Sequence, residues 1–242
     1  MILCIDWGAT LVKIVRSDGI RETIKSDDFL IEAHLGDVEE IRVTGIRSLS
    51  LPERIADIKV RKFDEFDAVA EAAGSGLAVN VGTGTSVVDT RKRRHVGGTG
   101  VGGGTIMGLC SLFAEGSFDE YEDRARRGNR KNVDLLVGDI CDSIGDLSGE
   151  VTASNLSKLS REKSAEDCIA GVFNMVGETI GTVACTSLRS TDLGHITFLG
   201  SVVRSDLLRD ILKGVCGLYG CDHAFSKDPQ FAVAESLLAK NG

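Results

Sequence analysis

Between Gly82 and Gly108 the chain carries nine glycines, and no other stretch limits its folding so tightly. Glycine loses more backbone entropy on folding than any other residue, so such density makes sense where the backbone must approach something closely. The stretch reads Asn80-Val81-Gly82-Thr83-Gly84-Thr85-Ser86, a short basic ribbon, then Gly97-Gly98-Thr99-Gly100-Val101-Gly102-Gly103-Gly104-Thr105. Successive backbone N–H groups at such turns, and the start of a helix behind them, favour anions and above all phosphate. The pattern points to a nucleotide. A Gly-x-Gly-x-x-Gly match at Gly98, Gly100 and Gly103 is not a dinucleotide fingerprint, because no ribose-binding acid or βαβ unit frames it.

The N-terminus has a similar plan. Ile2 to Ile5 is an apolar run that meets Asp6 and Gly8, and Leu11 to Val15 resumes as a second strand carrying Lys13. The tip of that hairpin offers a carboxylate, backbone donors, the Thr10 hydroxyl and an ammonium. Asp6 suits a hydrated magnesium ion, and the turn with Lys13 suits phosphate oxygens. Asp, Gly and Thr are also common in ordinary hairpin turns. The repetition at Gly82 to Ser86, again strand, glycine-hydroxyl turn, strand, is what favours two turns gripping one nucleotide from two sides. Gly200-Ser201 is a third glycine turn at a strand end.

Strands are expected over Gly19–Lys25, Glu40–Thr44, Asp57–Val60, Leu77–Val81 and His195–Leu199, with a hairpin pairing Ser86–Asp89 to Arg93–Val96. Asp64 to Gly74 reads as a helix with a glycine stop. Three carboxylates fall in its first turn, either complementing the helix dipole or placing a general base at a cleft. Glycines 102–104 open a helix through Phe113, Phe118–Arg127 is another, and Thr152–Leu159 is expected as a short one. Ser164 caps a long helix whose apolar residues recur from Ile169 to Leu188. Its Glu178 reads as a solvated or capped carboxylate. Ser205–Val215 and Asp228–Ala239 are the closing helices.

The formal net charge of −8 argues against nucleic acid or an anionic membrane as partner. The one basic run, Arg91 to Arg94, is short enough to be a solvated hairpin tip. Seven scattered cysteines, with no Cys-x-x-Cys spacing, signal neither a disulfide framework nor a zinc site. With no signal-peptide pattern and no apolar run of membrane-spanning length, a cytoplasmic protein is expected.

In order along most of the chain, these pieces resemble the type II pantothenate kinases of the actin, hexokinase and sugar-kinase superfamily. The resemblance rests on Ile5-Asp6-x-Gly8-x-Thr10-Leu11-x-Lys13-Ile14, Thr44-Gly45, Glu65-Phe66-Asp67-Ala68, and the two glycine-rich stretches from Asn80 and Val96. Gly128-Asn129-Arg130, Val133-Asp134-Leu135, Thr152-Ala153-Ser154-Asn155, Val176-Gly177-Glu178 and Leu199-Gly200-Ser201 also match. It implies an α/β, two-lobed actin-like (ribonuclease H-like) ATPase fold with a nucleotide cleft between residues 1–75 and 76–242, in which the closing helix can pack back on the first lobe. It implies ATP-dependent phosphorylation of pantothenate, the first step toward coenzyme A, by a homodimer.

Asp6, Gly8, Thr10 and Lys13 would hold the ATP phosphates and magnesium, the metal through water on Asp6. Gly82, Thr83, Gly84 and Thr85 would form the second phosphate loop, with Thr83 facing the transfer site, and Gly102, Gly103 and Gly104 would also bind the nucleotide. Gly200 and Ser201 would lie near the nucleoside, and Glu65 would accept the hydroxyl proton. Two departures stand out. Where the family usually has an arginine before Val-x-Gly, to bind carboxylate or transferred charge, this chain has His95 with Arg94 one residue earlier. A neutral imidazole is no bidentate guanidinium, so Arg94 or His95 is the candidate and another small hydroxyl acceptor, such as pantetheine, pantoate or a sugar, is the rival, with a non-catalytic ATP-binding regulator as a third reading. Lys227-Asp228-Pro229-Gln230 replaces a glycine-alanine-rich helix start.

Overall fold

The computed structural model describes residues 1–141 and 148–240. Its first sheet contains β1 (Ile2–Trp7), β2 (Leu11–Arg16), β3 (Arg21–Lys25), β4 (Glu40–Thr44), β5 (Arg54–Ile55) and β6 (Ile58–Lys62), ordered β3-β2-β1-β4-β6-β5. The first three strands form an antiparallel meander, and β4 and β6 then add in parallel. Alternation divides the residues between two faces. Leu3, Ile5, Val12, Ile14, Ile41 and Val43 pack on one side with Phe29, Ile31 and Val38. Cys4 and Val15 face the other side.

Helix α1 (Glu65–Ala73) follows. The Asp64 carboxylate accepts from the N–H groups of Phe66 and Asp67, and Gly74 at φ +77° ends the helix. The second sheet begins with β7 (Leu77–Val81), β8 (Thr85–Asp89) and β9 (Arg94–Thr99). After α2 (Gly103–Cys110), α3 (Phe118–Arg127), the small pair β10 (Leu135–Leu136) and β11 (Thr152–Ser154), and the 25-residue α4 (Ala165–Arg189), it takes β12 (Ile196–Leu199). Then come α5 (Asp206–Tyr219), β13 (His223–Phe225) and α6 (Ala232–Ser236). Its order is β13-β12-β7-β8-β9, again a meander followed by two parallel strands.

The two sheets therefore share one plan. Gly45 after β4 and Gly200 after β12 occupy equivalent places, at φ +90°, ψ 158° and φ +102°, ψ 161°. A Cβ there would stand 2.4 Å from Trp7 O and 2.4 Å from Val81 O respectively, the last residues of β1 and β7. Only glycine meets both demands.

Helices α1 and α6 are wedged between the sheets. Ala68, Val69, Ala70, Ala232, Val233, Ala234 and Leu237 share a core with Cys4 and Val15 of the first sheet and Ala78, Val88 and Leu199 of the second. On the far face of the second sheet, α4 packs against α3 and α5. By length and composition α4 would pass as a membrane span, contrary to the expectation that no apolar stretch is long enough. It is instead largely buried within this core. No disulfide occurs among the described residues.

Two expected helices differ. Residues 152–159 form β11 and a turn, because side chains distant in sequence capture their polar groups. Thr152 Oγ1 and Asn155 Nδ2 donate to Glu178 at 2.7 and 2.8 Å, and Leu156 N donates to Asp134 at 2.8 Å. Glu178 is thus bound, not solvated. The closing helix shrinks to Ala232–Ser236 because its flanks bond elsewhere. Gly200 N donates to Pro229 O at 2.7 Å, and buried Arg42 donates to the carbonyls of Leu237, Leu238 and Lys240 at 2.8, 3.2 and 2.7 Å. Of the mixed span 133–150, residues 142–147 lie outside the described residues.

Arg42 thereby fixes the C-terminal segment to β4. Arg42→Met should strand those carbonyls and lower stability by about 2–3 kcal/mol. Urea unfolding checks this against Lys213→Met, which removes an exposed pair with Asp210 and should change stability by no more than about 0.5 kcal/mol.

Candidate functional site

Asp6 and Lys13 are direct cross-strand partners on β1 and β2, so their side chains leave the sheet on the same face. Lys13 Nζ lies 3.1 Å from Asp6 Oδ2, and both residues are at least nine-tenths buried. Each side chain of the pair fixes the position of the other. Between them Gly8 N donates to Leu11 O at 3.1 Å, and Ser26 Oγ fastens the turn by donating to Gly8 O at 2.9 Å. A Cβ on Gly8 would sit 3.1 Å from Leu11 O and 3.6 Å from Lys13 Nζ, filling space beside the ammonium. Ser26 has no sequence signal, since it acts across eighteen residues.

The equivalent turn of the second sheet faces this one. Thr83 Oγ1 donates to Thr10 Oγ1 at 2.9 Å, joining the two turns across the cleft through exposed hydroxyls. Behind Thr83 the glycines pack backbone against backbone. Gly103 N and Gly104 N donate to Gly82 O and Thr83 O at 2.8 and 2.9 Å, and Gly82 N donates to Gly84 O at 2.8 Å. A Cβ on Gly102 would come within 2.7 Å of Thr83 O and 2.8 Å of Gly84 Cα. Thr85 is buried, with its hydroxyl given to Val101 O at 2.8 Å. Thr83 is therefore the open member of this group, while Thr85 and Gly102–Gly104 hold it from behind. What the glycine backbone approaches is a second glycine loop.

Glu65 is the first residue of α1 and half-buried. Burial raises its carboxyl above the ordinary glutamate range, the Asp6 charge adds to this, and Lys13 pulls it back. Its carboxylate has no hydrogen-bond or ion-pair partner among the described residues, which leaves both oxygens available to a ligand. Next to it, the Phe66 ring lies 5.1 Å from the His95 ring.

That contact depends on a β-bulge. Val87 pairs with Gly97 but Val88 pairs with His95, so the alternation of β9 shifts by one residue. His95 therefore shares the face of Val88, toward α1, whereas Arg94 lies on the opposite face and is exposed. Of the two sequence candidates, only His95 is brought beside Glu65's helix. The neighbouring basic residues are tied down at the hairpin tip, Arg93 to Glu71 at 2.6 Å and Lys92 to Asp89 at 3.8 Å. Ser201 opens a 3₁₀ turn at the end of β12, on the third glycine corner. Trp7, unexplained by the sequence, packs edge-on against Phe29 at 4.8 Å beneath the first turn.

Residues 75–212 match the family model described as Fumble. A protein of Staphylococcus saprophyticus named type II pantothenate kinase is 32% identical over 97% of this chain and 98% of its own. Among solved structures, the activator of the 2-hydroxyisocaproyl-CoA dehydratase from Clostridium difficile, with bound ADPNP, is similar at a TM-score of 0.67 and 16% identity. That likeness covers 98% of this chain and 93% of the other. The (R)-2-hydroxyglutaryl-CoA dehydratase component A of Acidaminococcus fermentans follows at 0.65 and 17%, covering 98% and 95%. The fold is accordingly the two-lobed actin-like α/β ATPase fold.

The raised carboxyl of Glu65 has a consequence for stability. The folded chain keeps that proton at pH values where the unfolded chain has released it, so stability falls as pH rises from the ordinary value of 4.5 through the raised one. Glu65→Gln should therefore melt at a higher temperature than the parent at about pH 7, and the difference should vanish near about pH 4, where both states of the parent are protonated. Thermal unfolding at the two pH values checks it.

Proposed function

The chain belongs to the Fumble family of type II pantothenate kinases, and from that premise we propose that it moves the γ-phosphoryl group of ATP to the primary hydroxyl of pantothenate. The products are ADP and 4'-phosphopantothenate, the first intermediate toward coenzyme A. The observation that carries the assignment of roles is Glu65, an unpartnered carboxylate raised by burial and facing the charges of Asp6 and Lys13.

The residues present fit ATP and magnesium. Asp6 and Lys13 supply a carboxylate for a hydrated cation and an ammonium for phosphate, and the space beside Lys13 Nζ is what a side chain on Gly8 would take. Magnesium held through water on Asp6 would supply charge neutralisation. Lys13, the Gly8–Thr10 turn and Thr83 bind and orient the phosphate chain from the two sheets, with Gly82–Thr85 held by Gly102–Gly104. Gly200 and Ser201 border the nucleoside. Glu65 takes the proton of the primary hydroxyl as that oxygen bonds to the γ-phosphorus and the bond to ADP breaks. Such loose phosphoryl transfer asks mainly for positioning and charge neutralisation.

His95 is our candidate for the pantothenate carboxylate, because the bulge in β9 turns it toward Glu65's helix. The same residue supports the second reading, a different small hydroxyl acceptor, since imidazole replaces the family's arginine. We assign the lobes to residues 1–75 and 76–242. A cytoplasmic homodimer completes the proposal.

ADP production from magnesium-ATP, with pantothenate beside pantetheine, pantoate and small sugars, tests the acceptor. Saturable turnover with pantothenate is expected, and turnover with another acceptor alone would move the substrate. Glu65→Gln should lower kcat by about 10²–10⁴-fold with ATP affinity little changed. Near-parental turnover in that variant would remove Glu65 from the mechanism. His95→Ala should raise KM for pantothenate about tenfold or more, with His95→Arg close to the parent. An unchanged KM would assign the carboxylate elsewhere.

A further inference from the structure

Segment 226–230, between β13 and α6, departs from the family pattern and has no role in the chemistry above. Three of its residues nevertheless span the two sheets. Buried Pro229 accepts the N–H of Gly200 at 2.7 Å, so the segment is bonded to the glycine corner of the second sheet. The next residue, Gln230, donates through Nε2 to Thr23 Oγ1 on β3 at 2.6 Å. Asp228 pairs with Arg21, two residues along the same strand, at 3.6 Å, and Arg21 also pairs with Glu235 on α6.

The register makes this more than a surface contact. Thr23 is the direct cross-strand partner of Lys13, and Lys13 is the partner of Asp6. Asp6, Lys13 and Thr23 thus form one row across three strands on one face of the first sheet. Gln230 holds the end of that row, and its neighbour Pro229 holds the corner at Gly200. Gly200 itself sits at φ +102°, where a Cβ would stand 2.4 Å from Val81 O. The segment therefore links β3, where Thr23 stands beside Lys13 in register, to the glycine corner at Gly200.

We propose that Gln230 is a positioning residue for ATP, setting the distance between the Gly200–Ser201 corner and the Asp6–Lys13 pair by tying segment 226–230 to Thr23. This rests on the nucleotide site proposed above. Gln230 touches neither the reacting atoms nor the acceptor side marked by Glu65 and His95. Its loss is accordingly felt in nucleotide binding, with chemistry and pantothenate binding left alone.

Gln230→Ala should raise KM for ATP, and Kd for a non-hydrolysable ATP analogue, about three- to tenfold. KM for pantothenate and kcat should stay within about twofold, and the melting temperature within about 2 °C. Thr23→Val should do the same, and the double variant should be no worse than either single one. Gln230→Glu should restore parental values, because the Thr23 hydroxyl can donate to its carboxylate. ATP constants unchanged in Gln230→Ala, equal increases for ATP and pantothenate, or additive effects in the double variant would overturn the proposal. If the parent binds the analogue but does not phosphorylate pantothenate, the substrate assignment fails while the Kd ratio still decides for Gln230. If the parent binds no nucleotide, both fail.

Discussion

Everything in the cleft depends on backbone touching backbone at strand ends. Gly45 lies on Trp7 and Gly200 on Val81, and Gly102 closes on Thr83 and Gly84, each at a distance where a single Cβ would collide. Side chains can adjust around a misfit, but main chain against main chain cannot without moving a strand. These contacts therefore set where β1 and β7 stop and where their turns begin. The turns inherit that rigidity, and the Thr10–Thr83 hydroxyl pair is the point at which the two rigid pieces meet.

On that frame the charges are placed asymmetrically. The first sheet contributes one buried carboxylate and one ammonium, which balance each other. Glu65, on the helix between the sheets, adds a second carboxylate with no ion-pair partner among the described residues. Its carboxyl is raised because burial and Asp6 both oppose its charge. A surplus negative charge in a half-buried cleft weakens the empty protein slightly, and it creates a place for a proton or a cation. The base role proposed for Glu65 needs that condition, since a carboxylate content with its neighbours would have little reason to take a hydroxyl proton.

Much of this architecture was legible in the sequence because it is encoded locally. The apolar runs at Ile2, Glu40 and Leu77 mark strands by composition, and Asp64, Ser164 and Ser205 mark helix starts by their own side-chain bonds. The failures are all non-local. Residues 152–159 read as a short helix in the sequence, but Asp134 and Glu178 take their hydrogen-bonding groups. Which of Arg94 and His95 faces α1 turns on one extra residue in β9, and strict alternation gives no sign of it. Glycine density reads as close approach to phosphate, whereas at Gly102–Gly104 the approached object is the Gly82–Gly84 turn.

The position of Glu65 follows from a last constraint, the wedge of α1 and α6. The helix that carries Glu65 at its first residue buries Ala68, Val69 and Ala70 against both sheets at once. Small side chains there bring the helix close to each sheet, so its N-terminus projects to the seam with little room to shift. The Asp64 cap fixes the first turn, and Phe66, one residue on, carries the contact to His95. A carboxylate on a loop could reach the same place but would sample many others. Held at the start of a helix keyed into two sheets, it is confined near Asp6 and Lys13, and that confinement is what the proposed chemistry requires of it.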